Sequence, residues 1–172
     1  MACSPLCALQ IGRDKASKQA AKAAAADRKL TTHKLDAMQT KPQLVKKAQT
    51  AFNSFVRARD AGKPCISCGS LLTLGGVGGG FDCGHYRSVG SAVHMRFVQD
   101  NAHGQCKHCN RHLAGNHVAY RAGLIERIGI DRVEQIERDQ TIRKYSHEGL
   151  REVARIYRLC IKEIKAKNEP AR

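Results

Sequence analysis

Two C-x-x-C motifs, CISC and CKHC, constrain the fold of this chain more than any other feature of its sequence. They supply Cys65 and Cys68, and then, after 37 intervening residues, Cys106 and Cys109. This spacing lets the backbone turn around one tetrahedral ion while both thiolates point inward. A disulfide framework suits a basic intracellular protein poorly, and a thioredoxin-type motif would not come in two copies. The sequence therefore predicts one structural zinc site shared by the two pairs.

The charge of the chain indicates what it binds. Lys and Arg number 30 against 15 Asp and Glu, giving a formal net charge of +15 and a sequence pI of about 9.8. Such a surface favours a polyanionic partner, because neutralising phosphates releases condensed counterions. A membrane surface is the alternative, but no long apolar run is present and the opening residues do not form a signal peptide. We expect a soluble intracellular protein that binds nucleic acid.

The N-terminal region, residues 1–40, is predicted to be a basic helical arm. Residues 13–34 are rich in Ala and Lys and contain almost no large apolar side chain. Such a segment suits a solvated helix with little to bury. Two interpretations remain open, a frayed basic arm and a helix that enters a nucleic-acid groove.

Two longer segments carry the apolar periodicity of packed helices. The first starts at Thr40-Lys41-Pro42, ends before Gly62, and carries the stripe Leu44, Val45, Ala48, Phe52, Phe55 and Val56. The second follows Ser146 and carries the stripe Leu150, Val153, Tyr157, Cys160, Ile161 and Ile164. Between them, a third stripe runs from Val118 to Ile128, and Asp131 with Glu134 resembles a capping box. We expect these stripes to form the core.

The segment between the cysteine pairs predicts a small hairpin. The glycine run LGGVGGG predicts a flexible turn. The segments FDCGHY and HMRFV predict two short strands. A helix is expected to begin at Asn110 and to run towards His117 or beyond. A knuckle, a hairpin and a helix at a second knuckle make an α+β, zinc-stabilised, treble-clef-like core with flanking helices.

Three polar residues are expected to converge beside the zinc. The hairpin carries Asp82 and His85, and Asn110 directly follows Cys109, so its direction is fixed by the metal. Carboxylate and amide oxygens suit a harder cation than zinc, and histidine titrates near neutral pH. The alternatives are Asn110 as a helix N-cap and His85 as a packing or phosphate-contacting residue.

The motifs DCGH, Asn101 and CKHCN resemble the HNH, or ββα-metal, nuclease motif and are similar to phage endonuclease VII. More closely, CISCG, DCGHYRS, HMRF, QCKHCNRHLAGN and YRAGLIERIG resemble the lambda NinG/Rap family of phage recombination proteins. The resemblance implies a Mg²⁺- or Mn²⁺-dependent endonuclease that cuts Holliday junctions and D-loops in the cytoplasm of a bacterial host. It implies His85 as general base, Asn101 as the residue that orients it, and Asp82 and Asn110 as ligands of the catalytic cation.

Two positions depart from the pattern of the family. The common HNH motif has a metal-binding Asp or His immediately before the base, whereas Gly84 stands there in this chain. Cys3 and Cys7, in CSPLC, look like the second half of an N-terminal zinc ribbon, so we interpret them as a remnant of it.

The sequence thus predicts three regions: the arm at 1–40, a nuclease domain with flanking helices at 41–130, and a C-terminal helical region at 131–172. The favoured function is a structure-selective endonuclease acting on branched DNA. The alternative is a zinc-stabilised nucleic-acid-binding accessory of recombination without catalysis. A homodimer and phage or host recombination proteins are further candidate partners, and no membrane partner is expected.

Overall fold

The computed structural model describes residues 4–73, 75 and 79–168, and within these the chain divides into two compact units, Met1–Thr40 and Lys41–Arg172. The glycine turn predicted at residues 74–80 lies largely outside the described residues, and Cys3 of the proposed zinc-ribbon remnant lies wholly outside them. None of the helices in the described ranges combines the length and the apolar run that crossing a bilayer requires.

The first unit is built around one long helix, α1 (Pro5–Ala37). Ser4 caps it, because its Oγ accepts a hydrogen bond from the Cys7 amide at 3.2 Å. Pro5 stands at the first helical position, where its missing amide has no partner to lose. The side chains described along α1 are almost all exposed. The predicted solvated helix is confirmed, and it extends beyond residues 13–34 at both ends.

The core of the second unit is a pair of helices, α2 (Lys41–Asp60) and a C-terminal helix (His147–Asn168). Ser146 directly precedes the C-terminal helix, and its Oγ accepts a hydrogen bond from the Gly149 amide at 3.0 Å, the bond that a capping serine makes. The Phe52 and Tyr157 rings meet edge to face with centroids 4.9 Å apart. Both predicted stripes are confirmed, since their residues form one apolar cluster. The C-terminal helix therefore belongs to the same packed unit as the cysteine motifs.

The sheet is a two-stranded antiparallel hairpin of β1 (Phe81–His85) and β2 (Ala102–Cys106). The first predicted strand is confirmed. The second, predicted at HMRFV, is wrong, because Val93–Met95 forms a 3₁₀ turn whose Met95 packs in a small apolar cluster. The strand that pairs with β1 instead ends at Cys106, and this register brings the second cysteine pair back to the first.

The helix predicted from Asn110 to His117 and beyond is wrong as a continuous element. A π-helical turn (His108–His112) is followed by a break at which Ala114 and Asn116 have φ of 47° and 44°. Left-handed residues of this kind cannot continue an α-helix. The chain resumes helix only at α3 (His117–Ile128). The break places the Asn116 side chain against the sulfur of Cys109.

Two details of the following helices also differ from the prediction. Val118 is 87% exposed, and it is Tyr120 and Leu124 that α3 buries. The next helix, α4 (Ile130–Arg138), has Gly129 at its N-cap position, so the capping box expected at Asp131 does not form. Counting these elements in order, the C-terminal helix His147–Asn168 is α5.

Candidate metal centre

The four cysteines of the two motifs form one cluster. Their Sγ atoms all lie within 4.8 Å of one another, and those of Cys68 and Cys106 are 3.7 Å apart. Tetrahedral coordination with Zn–S bonds of about 2.3 Å places sulfurs roughly 3.8 Å apart, so the spacing fits zinc. Cys65 and Cys109 are buried, whereas Cys68 is exposed. The cluster can therefore hold a metal such as zinc at the edge of the module.

Amide donors surround the sulfurs of this cluster. The Cys106 backbone N–H donates to Cys65 Sγ at 3.3 Å, and the Cys109 N–H donates to Cys106 Sγ at 3.4 Å. The side chain of Asn116 donates to Cys109 Sγ at 3.6 Å. Such donors disperse the charge of metal-bound thiolates and fix the direction of their lone pairs. The donor set is thus what a thiolate site needs in addition to its ligands.

The thiols differ in acidity. Hydrogen bonds with the side chain and backbone of Ser70 lower the pKa of Cys68 to about 6, whereas burial raises the pKa of Cys106 to about 12 and also raises that of Cys109. Four thiolates so close together repel one another, and a divalent cation removes that penalty. Metal binding should therefore release protons from the cluster.

Next to the cluster, Asp82 of β1 and Asn110 of the π-helical turn meet. The Asn110 Nδ2 donates to Asp82 Oδ2 at 3.1 Å. Arg111 adds a bidentate contact, with its Nε 2.6 Å from Asp82 Oδ2 and its Nη2 2.8 Å from Oδ1. The structure thus brings together the two residues predicted to hold the catalytic cation, and it adds an arginine that the sequence did not single out.

The charge state of this pair is set by its neighbours. Partial burial acts to raise the pKa of Asp82, but hydrogen bonds from Arg111 and Asn110, together with the charges of Arg111 and Lys107, hold it below its usual value. Asp82 is therefore an anionic oxygen donor at neutral pH. Arg111 has 57% of its side chain exposed, so a cation can displace it from the carboxylate. A half-turn of the Asn110 amide presents its oxygen instead of its nitrogen.

His85 lies away from this pair. Successive side chains of a strand point to opposite faces, so Asp82 and His85, three positions apart, project from opposite sides of β1. The His85 ring packs towards α2, with its centroid 5.8 Å from that of Phe52. Its Nε2 lies 3.1 Å from the carbonyl oxygen of Arg96. The structure therefore does not bring His85 to the side of β1 from which Asp82 projects.

The environment of His85 nevertheless suits a base. Burial lowers its pKa, while hydrogen bonds to the backbone of Arg96 and Cys83 partly oppose that shift. The ring is thus neutral at neutral pH. Donation from Nε2 to a carbonyl places the proton there and the lone pair on Nδ1.

Asn101 is fully buried and holds the backbone around His85 rather than its ring. Its Oδ1 accepts from the Arg87 amide at 2.8 Å, and its Nδ2 donates to the carbonyl oxygens of Arg87 and Met95 at 3.0 and 3.2 Å. The bonds tie the chain just after β1 to the turn that precedes Arg96. The predicted orienting role therefore falls to the Arg96 carbonyl, and Asn101 positions that segment.

A buried ionic network, absent from the sequence prediction, fixes the base of the hairpin. Asp60, at the end of α2, is 1% exposed and accepts at 2.8 Å from both the Arg59 guanidinium and the Gly104 amide. Burial opposes ionisation, but these bonds and the nearby cations lower the pKa of Asp60 to about 2. His103 lies beside it, and burial lowers its pKa to about 4. No local pattern marks Asp60 as buried, because the partners that enclose it besides Arg59 and Lys63 lie more than 40 residues away, at His103 and Gly104.

Comparison with known proteins shows that the sequence of this chain is similar to phage proteins. The family model described as the Bacteriophage Lambda NinG protein matches residues 1–169. A protein ninG from Salmonella phage P22 is 37% identical over 175 residues, covering 95% of this chain and 83% of the relative. The protein ninG of Escherichia phage lambda is 35% identical with the same coverage, and that of Escherichia phage 933W is 39% identical over 80% of this chain. No solved structure matches significantly.

Proposed function

The chain belongs to the bacteriophage lambda NinG family, and on that premise we propose that it is a metal-dependent DNA endonuclease of the HNH, endonuclease VII-like type. Its substrates are branched recombination intermediates such as Holliday junctions and D-loops. The observation that carries the proposal is the meeting of Asp82 and Asn110, 3.1 Å apart and directly beside the four-cysteine cluster. In this proposal the zinc-stabilised, treble-clef-like core is the scaffold.

Asp82 and Asn110 are the residues that would hold the catalytic Mg²⁺ or Mn²⁺. An ionised carboxylate and an amide oxygen are ligands that these hard cations prefer, and they leave room for water and a phosphate oxygen. A divalent cation bound there supplies the charge that stabilises the phosphorane and the leaving oxygen. The thiolates are softer ligands and keep zinc, so the two sites select different metals.

Arg111 has a separate part in this proposal. Its guanidinium now engages both oxygens of Asp82, and the same planar fork matches a phosphate group. Released from Asp82, the Arg111 guanidinium would be available to bind the substrate phosphate. The positive charge of Lys107 also acts on the Asp82 carboxylate and stabilises its ionised form.

His85 is the proposed general base, with the lone pair of Nδ1 accepting a proton from water. Its neutral, tautomer-fixed ring supports the role. The alternation of side chains along β1 opposes it, because His85 and Asp82 leave the strand on opposite faces. For His85 to act as the base, the scissile phosphate must lie at the end of β1, where residues on both faces of the strand can reach it. This role is tested separately from metal binding.

Branch selectivity would come from the basic surface. The exposed cations of α1 include Arg13, Lys18, Lys22 and Arg28, and this helix can lie along phosphates without reading bases. A branch point presents several backbones at once, whereas a linear duplex presents one. Selection of branched DNA would thus rest on shape and charge.

The runner-up is a zinc-stabilised nucleic-acid-binding accessory of recombination without catalysis. Two observations favour it, namely the contact of Arg111 with both oxygens of Asp82 and the packing of the His85 ring against Phe52. In that case the arginine is a permanent structural partner of Asp82, and the cysteine cluster alone organises the binding surface.

One assay separates the two functions. Zinc-loaded protein is incubated with an end-labelled four-way junction or a linear duplex of equal length and composition, with and without added Mg²⁺. Chelators are avoided, since they would also strip the zinc. The nuclease proposal predicts Mg²⁺-dependent cutting of the junction and much less of the duplex. Junction binding without cutting at any Mg²⁺ or Mn²⁺ concentration would establish the accessory instead.

A further inference from the structure

An open cavity of about 490 Å³ lies along the first half of α2, and its lining includes neither the four cysteines nor Asp82 and Asn110. Three of the side chains that line it are cationic: Lys41, Lys46 and Arg96. Among the described residues that line it, none carries a carboxylate. A shallow, open surface with three cations and no acid attracts an anion.

The Arg96 guanidinium is held in place at this cavity. Its Nη1 donates to Gln49 Oε1 at 3.1 Å, and its Nη2 donates to the Val89 carbonyl at 3.2 Å. Gln49 in turn donates to Asn53 Oδ1 at 2.7 Å. A guanidinium has five N–H donors, so these two bonds leave others for a ligand. An arginine fixed by its neighbours loses little side-chain entropy on binding an anion.

The rest of the lining indicates which anion fits. Pro42 and Val45 contribute apolar surface beside the cations. A free phosphate has no apolar group to contact that surface, whereas a sugar-phosphate backbone places a deoxyribose next to each phosphate. The combination of cations and an apolar wall therefore suits a phosphodiester within a strand.

The cavity is also joined to His85. Arg96 lines the cavity with its side chain, while its carbonyl oxygen lies 3.1 Å from His85 Nε2. Phe52, one turn along α2 from Gln49, contacts the His85 ring. An anion bound by Arg96 would thus lie on the same side of the module as the proposed base.

We infer that this cavity binds a backbone phosphate of the DNA strand that leads to His85. This assignment rests on the proposed function, since it presumes a DNA substrate. It defines a second point of contact, separate from Asp82 and Asn110, through which the strand is held against α2.

The test is the salt dependence of junction binding, measured by fluorescence anisotropy without added Mg²⁺ or Mn²⁺ so that no cutting occurs. Lys46→Gln is compared with Lys162→Gln, which changes another exposed lysine, on α5 and outside the cavity. We expect Lys46→Gln to flatten the slope of log affinity against log salt by about 0.9, the value of one duplex phosphate contact, and Lys162→Gln to change it less. Equal slopes in the two variants would overturn the inference.

A second arm identifies the source of the phosphate. Inorganic phosphate is titrated into both variants at constant ionic strength and followed by calorimetry. Phosphate binding that is lost in Lys46→Gln, combined with an unchanged slope for the junction, would assign the cavity to free phosphate and overturn the DNA assignment. The two variants could show the expected difference in salt slope while the wild type never cuts the junction. That result would overturn the nuclease proposal and support the assignment of the cavity.

Discussion

Cys109 and Asn110 are neighbours in one π-helical turn, yet they belong to two different kinds of site. Cys109 is fully buried, and its sulfur lies in a cluster whose thiolates receive amide hydrogen bonds. Asn110 is half-exposed beside Asp82, whose other partner is the exposed side chain of Arg111. The first arrangement is closed and suits a permanently bound structural metal. The second is open and suits a metal that keeps coordination positions for water and substrate. One turn of backbone can therefore supply both scaffold and chemistry.

The largest expected effect concerns the closed site. Cys106→Ser removes one of four ligands, and structural zinc contributes folding free energy on the order of 10 kcal/mol in small domains. We expect the variant to lose zinc and to unfold. Thermal melts followed by circular dichroism, together with metal analysis, measure both properties. Cys160→Ser, which changes a thiol on α5 outside the cluster, is the control. Normal melting of a zinc-free Cys106→Ser would contradict a scaffold role for the metal.

The buried Asp60 should matter next most, because it ties α2 to the strand that carries Cys106. Asp60→Asn leaves the nearby Arg59 without its buried partner, and we expect a loss of about 3 kcal/mol in the free energy of unfolding. The folded-state pKa of about 2 lies below the ordinary 3.8, so this contribution is complete above pH 3.8. It should shrink as the pH falls from 3.8 towards 2.

Denaturant titration at neutral pH measures this difference, with Asp100→Asn as the control. Asp100 pairs with Arg132 on the surface, where both side chains are more than a third exposed. Exposed pairs of this type contribute about 0–1 kcal/mol. Equal losses in the two variants would show that the buried network does not brace the hairpin.

His85→Ala tests whether the open site extends to the other face of β1. Removal of a general base typically slows catalysis by about 100-fold or more, without loss of zinc or of junction affinity. His94→Ala is a matched control, because the His94 Nε2 also contacts a backbone carbonyl, that of Asp139, at 3.0 Å. Single-turnover cleavage of the junction is the measurement. Undiminished cutting by His85→Ala would leave the base to another residue.

The pH profile gives a second check on His85. Only the neutral ring accepts a proton, so the rate should rise tenfold per pH unit below the pKa of His85 and level off above it. Because burial lowers that pKa, the midpoint should lie below about 6.5. A midpoint well above that value would indicate a different base.

A smaller effect is expected from Arg111→Gln. The guanidinium competes with a cation for Asp82, so its removal should tighten Mn²⁺ binding by about three- to tenfold, a small effect because the ion pair is exposed. Arg121→Gln is the control, since Arg121 makes a similarly exposed contact with Glu137. Weaker Mn²⁺ binding in Arg111→Gln would mean that the arginine supports the site instead of competing for it.

The sequence predicted those parts of the molecule that depend on spacing or periodicity. The spacing of the cysteines predicted their cluster, and the apolar stripes with a 3.6-residue period predicted α2 and α5. It missed β2, whose residues AHGQC contain no β-branched side chain. That strand is selected by tertiary packing, since a side chain at Gly104 would collide with Leu72.

The polar residues show the same limit. The position of Asn110 follows from its place after Cys109, so its meeting with Asp82 could be anticipated. The direction of His85 could not, because it depends on where β1 starts and which face packs against Phe52. The break at Ala114 and Asn116 did leave a signal, because Gly115 between them has a φ of 89° and both Gly and Asn favour left-handed backbone at helix ends.

The central claim is that Asp82 and Asn110 hold a divalent cation beside an independent zinc site. Electron paramagnetic resonance of Mn²⁺ titrated into zinc-loaded protein tests it without any nuclease assay. We predict one Mn²⁺ site in the wild type, weakened at least about tenfold in Asp82→Asn and less in Asn110→Ala, with the zinc content unchanged in both. Wild-type Mn²⁺ affinity in both variants, with zinc retained, would contradict the account.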